Sequence, residues 1–134
     1  MKKDKISSSA DLFYYKANMD FNSAKYLFEA FKEDKIDIDI ETIMFHLQQC
    51  AEKLLKALLS NKKIKINKTH DIELLINLSK TNTIKLPTYT DILIPLSEYA
   101  VEGRYAIIHD DIDDIDKYIE ILEDFINFVK MEIS

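Results

Sequence analysis

Two residues in the last third of the chain, Arg104 and His109, have the types and the spacing of a catalytic pair. An arginine guanidinium binds a phosphate through two parallel hydrogen bonds. A histidine gains or loses a proton near neutral pH, so it can act as a general acid or base. Together they would suit metal-free RNA cleavage, in which a ribose 2′-hydroxyl attacks the adjacent phosphate. The alternative is structural: the arginine pairs with local acids and the histidine lies beside aspartates at a helix start.

A second group of polar residues lies along the segment 45–59, which reads FHLQQCAEKLLKALL. Apolar residues recur at helical spacing on one side of this segment, at Ile43, Leu47, Cys50, Ala51, Leu54 and Leu58. The other side carries His46, Gln48, Gln49, Glu52, Lys53 and Lys56. Such a mixture is typical either of a solvated helix face or of a polar groove between helices. Composition alone leaves both interpretations open.

The aspartate-rich run from Asp110 to Asp116 raises the question of a metal site. It lacks the glycine and the spacing of an EF-hand loop. Acids at a helix N-terminus are also stabilised by the positive end of the helix dipole. No glutamate lies three residues before any of the three histidines, which excludes the ligand pattern of a di-iron bundle. We therefore predict no metal site and no cofactor.

Composition indicates one helical domain. The 134 residues suffice for a single domain with a core. One Gly and two Pro provide few interruptions, which favours long helices. The net charge of −6 does not favour nucleic acid in bulk. However, the stretch from Lys53 to Lys68 contains six lysines and no acid. A basic strip of this kind could contact phosphates locally.

Cysteine usage and hydropathy bear on the compartment. Cys50 is the only cysteine, so no intrachain disulfide forms, and its place on the apolar stripe predicts burial. The first residues, MKKDKISSSADL, lack the apolar core of a signal peptide. No apolar stretch approaches the length of about 20 residues that spans a bilayer. We expect a cytoplasmic protein that does not bind membranes.

Apolar periodicity predicts five helices, over residues 10–32, 40–61, 69–80, 88–102 and 112–132. Ser8 or Ser9 is the expected N-cap of the first helix and Asp39 that of the second. Pro95 should kink the fourth helix and Gly103 should end it. Residues 1–9 are polar and expected to be flexible, and residues 10–134 form one domain. The predicted fold is all-α, an antiparallel up-and-down bundle. Its predicted core comprises Phe21, Phe28, Leu47, Leu54, Leu58, Ile119, Leu122 and Ile126.

Three segments together resemble the HEPN domain family: FHLQQCAEKLLKALL, then THDIELL at 69–75, then EYAVEGRY at 98–105. The resemblance covers about residues 11–129. It implies a bundle of antiparallel helices that commonly dimerises, with the two-fold axis near the fourth helix and the segment 104–109. It also implies a small prokaryotic protein, often encoded beside or fused to a minimal nucleotidyltransferase. Such pairs act as toxin and antitoxin in several branches of the family.

The resemblance also implies candidate site residues. Many HEPN domains are metal-independent ribonucleases whose arginine and histidine stand a few residues apart at the start of the last long helix, and Arg104 and His109 fit that pattern. The Gly-Arg-Tyr sequence at 103–105 is closer to the branch described as nucleotide-binding. There, His46, Gln49 and Lys53 would line the groove. Three functions stay open: a ribonuclease, a non-catalytic module that binds a nucleotide or RNA, and a structural dimerisation partner.

Overall fold

The computed structural model describes residues 6–100 and 112–134, the first two residues of the second range for the backbone alone. Helices account for the regular structure of these ranges, which contain no strand. They are α1 (Ser9–Lys32), α2 (Ile40–Asn61), α3 (Ile72–Thr81), a 3₁₀ helix (Thr88–Tyr99) and α4 (Ile112–Ile133). The predicted all-α bundle is therefore confirmed.

Helix α2 is the centre of the bundle, since it packs against α1, α3, the 3₁₀ helix and α4. Its apolar stripe is buried as the periodicity predicts, with Leu47 and Leu54 fully inaccessible. Cys50 lies on the same stripe and is fully buried. Seven of the eight predicted core residues belong to the buried apolar cluster, and the eighth, Ile119, is partly buried and packs against it. The burial of large side chains from four helices around α2 supplies the main stabilisation of the fold.

The helix starts follow local capping chemistry. The Ser8 hydroxyl accepts a 3.1 Å hydrogen bond from the backbone N–H of Asp11, which confirms Ser8 as the cap of α1. Asp39 occupies the N-cap position of α2 but makes no capping bond through its side chain. Helix α3 begins at Ile72, later than the predicted 69–70, because Asp71 is its cap and accepts from the Leu74 N–H.

The segment Thr88–Tyr99 is a 3₁₀ helix, which corrects the prediction of a kinked α-helix over 88–102. Pro95 lies inside it, has no N–H to donate, and in an α-helix would clash with the carbonyl four residues earlier. The tighter winding keeps Leu93, Leu96 and Tyr99 buried against the core. Runs of 3₁₀ helix this long are uncommon. Gly103, the predicted end of this helix, lies outside the described residues.

Helices α1, α2 and α3 are each followed, two positions after their last residue, by a non-glycine residue with positive φ: Asp34, Lys63 and Thr83. In each case the next residue donates its N–H to the carbonyl five positions earlier, at distances of 2.9–3.0 Å. This is the Schellman arrangement, which glycine favours because it has no Cβ. Each of these three residues therefore adopts a backbone conformation that is unfavourable for a residue with a Cβ.

No helix in the described part of the chain combines the length and the apolar character needed to cross a membrane.

Candidate functional site

The polar side of α2 is a stripe of half-buried residues at three- and four-residue spacing. Its members are His46, Gln49, Lys53, Lys56 and Ser60. Helix α1 borders the stripe on one side, where Ser9 bonds to Ser60, and the connection between α2 and α3 borders it on the other. The structure thus brings the three predicted nucleotide-binding residues, His46, Gln49 and Lys53, onto one half-buried surface between elements.

A carboxylate from α1, that of Asp20, binds two residues of this stripe at once. His46 Nδ1 lies 3.0 Å from Asp20 Oδ1, and Lys53 Nζ is hydrogen-bonded to Asp20 Oδ2. The three side chains are 26%, 22% and 13% exposed for His46, Lys53 and Asp20. Solvent therefore reaches both basic side chains, while Asp20 is held largely inside the helix–helix contact.

Small residues on α1 allow Asp20 to contact α2. Ala17 and Ala24, seven positions apart on the face of α1 toward the core, are fully buried, so no large side chain separates the two helix backbones there. Asp20 lies between them along the chain, beside buried Phe21. Its short side chain consequently reaches α2 residues 26 and 33 positions away in sequence.

A chain of amide hydrogen bonds continues the polar network into the interior. Gln49 Nε2 donates to Gln48 Oε1 at 2.7 Å. Gln48 is fully buried, and its Nε2 donates both to Glu52 Oε1 and to the backbone oxygen of His70. The described side chains leave no buried polar atom without a partner. A buried glutamine satisfied in this way fixes its neighbours in one arrangement.

Glu52 is a buried carboxylate with two basic partners. Lys56 Nζ lies 2.9 Å from Oε2, and His70 Nδ1 lies 2.8 Å from Oε1. Burial on its own would raise the pKa of Glu52, but the hydrogen bonds from Lys56, His70 and Gln48 together outweigh it and lower the pKa below the ordinary value. Glu52 is therefore ionised at neutral pH and holds the chain around His70 against α2.

The two carboxylates have matching surroundings, each with one lysine and one histidine. Asp20 is paired with Lys53 and His46, and Glu52 with Lys56 and His70. In each group the lysine and carboxylate charges offset each other, so neither carboxylate leaves an excess of negative charge on the polar stripe.

The free donors at Asp20 define what the surface could bind. Lys53 keeps two N–H groups beyond the one given to Asp20. His46 directs Nδ1 at the same carboxylate, so its second ring nitrogen is an acceptor in the neutral ring and a donor only in the imidazolium form. The carbonyl oxygen of Gln49 is likewise an available acceptor. Two donors beside an acceptor suit a phosphate attached to a polar group.

Arg104 and His109, the candidate catalytic pair, lie outside the described residues, which resume at Ile112, the start of α4. The 3₁₀ helix that leads into their segment is tied to α3, because the Ser97 hydroxyl accepts a 2.9 Å bond from the Ile72 N–H. Ile72 lies two residues after His70. In the described parts of the chain, no group of acids, histidines and cysteine is arranged as a metal site.

The sequence interpretation missed Asp20. One feature of the sequence could have indicated it: Asp20 is the only acid between Asp11 and Glu29, and it lies within the apolar pattern of α1. The partnership of Glu52 with His70 was also missed, although Glu52 lies on the polar side of the segment 45–59 and His70 lies within the segment 69–75. Neither pairing has a fixed sequence spacing.

Comparison with known proteins agrees with this architecture. The sequence profile of the HEPN domain matches residues 10–132, nearly the whole chain. The all-helical bundle with a polar central helix is thus that of a known class, and the chain belongs to the HEPN domain family. Members of this family are broadly nucleotide- or RNA-related modules, and HEPN domains often dimerise.

A solved structure shares the fold. The crystal structure of ST0689, an archaeal HEPN homologue, superposes with a TM-score of 0.66 at 22% sequence identity. The match covers 96% of this chain and 100% of the other. No curated protein shows significant similarity to the chain.

Proposed function

We propose that the protein is a nucleotide- or RNA-interacting HEPN module that receives a phosphate group at His46, Gln49 and Lys53. The supporting observation is the convergence of His46 and Lys53 on Asp20, with both basic side chains about a quarter exposed. A lysine held in place loses less conformational freedom when it binds an anion than a free surface lysine does. Family membership supports the same class of ligand.

Titration calorimetry with AMP, ATP and inorganic phosphate tests this site. Lys53→Met should weaken binding at least about tenfold, because a charge-assisted bond in a half-buried setting is lost. Lys25→Met is the matched control, since Lys25 is exposed on α1 and belongs to no ion pair among the described residues. Equal affinity of Lys53→Met and wild type would refute the site.

Ribonuclease activity through Arg104 and His109 is the second candidate. The supporting observation is their spacing in a chain of this family. Arg104 would hold the scissile phosphate and His109 would transfer the proton, a contribution of about 10²–10⁴-fold. RNA cleavage by purified protein in EDTA should be lost in His109→Ala. Lys53→Met in the same assay distinguishes the Arg104–His109 pair from the polar surface of α2. Cleavage that His109→Ala leaves intact would end this candidate.

The partnership proposal follows the family resemblance. The module would act as a homodimer with a minimal nucleotidyltransferase, as one half of a toxin–antitoxin pair. Expression alone should then arrest growth, and co-expression of an adjacent nucleotidyltransferase should relieve the arrest. Normal growth on expression of folded protein would argue for a non-catalytic binding module or a structural dimerisation partner instead.

A further inference from the structure

The outer face of α1 carries large apolar side chains that the core does not use. Leu12, Met19 and Tyr26 are 42%, 41% and 73% exposed. They stand seven residues apart, so all three lie on the side of α1 opposite the buried Ala17 and Ala24. Single exposed apolar residues are ordinary on a protein surface, whereas three in line along one helix form a continuous feature. We call these three residues the α1 ridge.

A spacing of seven residues is the repeat of a coiled coil, in which positions a and d of each heptad contact a partner helix. With Leu12, Met19 and Tyr26 at position a, Tyr15 and Asn22 fall at position d. Tyr15 is half-buried and Asn22 is exposed. One polar residue in an otherwise apolar contact of this kind fixes the register of the partner helix. The α1 ridge therefore has the residue pattern of one side of a two-helix contact.

The positions that flank the ridge carry two lysines without a counter-ion. Lys16 falls at position e and Lys25 at position g, and both are exposed. Neither belongs to an ion pair among the described residues. In coiled coils the residues at e and g pair with opposite charges on the partner and so decide which partner binds. The flanks of the ridge thus favour a partner with acidic side chains.

The acids of α1 are already compensated within the chain. Glu29, at the next position d, pairs with Lys32 at 3.5 Å. Asp11 accepts two hydrogen bonds from Ser7 and lies in the first turn of α1, where the positive end of the helix dipole offsets its charge. Asp20 is turned to α2 and bound there. The charge that this face presents to a partner is therefore positive, although the whole chain carries −6.

We propose that the α1 ridge binds an acidic amphipathic helix of a different protein, packed along α1 as in a two-stranded coiled coil. The partner helix places apolar residues on the ridge and acids beside Lys16 and Lys25. Fourteen positions separate Leu12 from Tyr26, which is about 21 Å of contact along the helix. Because α1 is already held by its buried face, only the partner helix loses conformational freedom on binding.

The same residues disfavour the other occupants. Two copies of the ridge in contact would bring four lysines together with no uncompensated acid of α1 between them. A nucleic acid would find phosphate partners in Lys16 and Lys25, but Leu12 and Met19 are aliphatic and offer it neither a charge nor an aromatic ring. An acidic amphipathic helix uses both the apolar and the charged residues.

Fluorescence anisotropy with two designed helical peptides tests the proposal. Both have leucine at a and d over about three heptads, and one carries glutamate and the other lysine at e and g, so that like charges oppose self-association of either peptide. At about 50 mM salt, the wild-type protein should bind the glutamate peptide at least about tenfold more tightly than the lysine peptide. Lys16→Glu combined with Lys25→Glu should reverse this preference.

A substitution in the middle of the ridge tests the apolar part of the contact. Met19→Gln should weaken binding of the glutamate peptide at least about tenfold, because it buries an amide against apolar side chains. Ile92→Gln is the matched control, since Ile92 is 38% exposed on the 3₁₀ helix and should leave binding unchanged. Circular dichroism confirms that each variant is folded.

Five outcomes would overturn the proposal. Three concern the peptides: equal binding of the two, binding of neither, or full binding of the glutamate peptide by Met19→Gln. A larger mass by light scattering for wild type than for Met19→Gln would assign the ridge to a second copy of the chain. Oligouridylate binding that is lost when Lys16→Glu and Lys25→Glu are combined would assign the same face to RNA.

Discussion

The imidazole of His70 and the carboxylate of Glu52 are 2.8 Å apart across two elements, and this contact fixes the start of α3 on α2. His70 is 62% exposed at its side chain, whereas Glu52 is 4% exposed. The contact therefore links an exposed side chain to a buried one. Two residues later, the Ile72 N–H is bound by Ser97 of the 3₁₀ helix. Glu52 thus anchors the connection between α2 and α3, and the start of α3 is in turn bonded to the 3₁₀ helix.

Loss of the Glu52 charge should lower stability in a pH-dependent way. The folded pKa of Glu52 lies below its ordinary value of 4.5, so its contribution is fully present above that value and is lost as pH falls through the folded pKa. Glu52→Gln should lower the free energy of unfolding by about 2–3 kcal/mol at pH 7. The difference from wild type should shrink below pH 4.5. Urea denaturation across pH measures it, with exposed Glu73→Gln as control; a constant difference would contradict the argument.

Removal of the Asp20 charge should strengthen anion binding. Asp20→Asn keeps the shape of the side chain but frees Lys53 and His46 from their counter-ion. If the proposed phosphate site is correct, the dissociation constant for inorganic phosphate should fall several-fold, because the carboxylate no longer competes with the anion for Lys53. Calorimetry with inorganic phosphate tests this. Weaker binding would mean that Asp20 orients the donors more than it competes with the ligand.

Truncation of Leu54 should be costly because the side chain is fully buried in the central helix. Leu54→Ala should lower the free energy of unfolding by about 2–5 kcal/mol, through lost burial and a residual cavity. Leu74→Ala is the matched control, since Leu74 is 46% exposed on α3 and should cost less than about 0.5 kcal/mol. Similar costs for the two variants would contradict the packing described for α2.

Glycine at the end of α3 should stabilise the protein. Thr83 has φ 63° and a β-branched side chain, an unfavourable combination. Thr83→Gly should raise the free energy of unfolding by about 1 kcal/mol. The same substitution at Thr81, the last residue of α3, should lower it by about 0.5–1 kcal/mol. Thermal unfolding should therefore shift in opposite directions, and a common direction would show that the backbone strain is not the controlling cost.

The parts of this fold that sequence could predict are those set by local periodicity. The stripe through Leu47 and Leu54 repeats at helical spacing, so both the helix and its buried face follow from one pattern. The 3₁₀ helix was not predicted because its apolar spacing resembles that of a short α-helix. Whether the segment forms a 3₁₀ helix or an α-helix depends on Pro95 and on packing. For the site, spacing identifies His46 and Lys53 as neighbours on α2. Their contact with Asp20 depends on how two helices pack, which no local pattern contains.

Burial of the only thiol has an experimental consequence. Cys50 is fully inaccessible in the helix that every other element packs against, and burial raises its pKa well above the ordinary value. Its sulfur is therefore both shielded and protonated in the native state. Alkylating reagents can reach it only when the bundle opens around α2. The protein consequently carries a built-in probe of its own opening rate, readable by mass spectrometry without an introduced label.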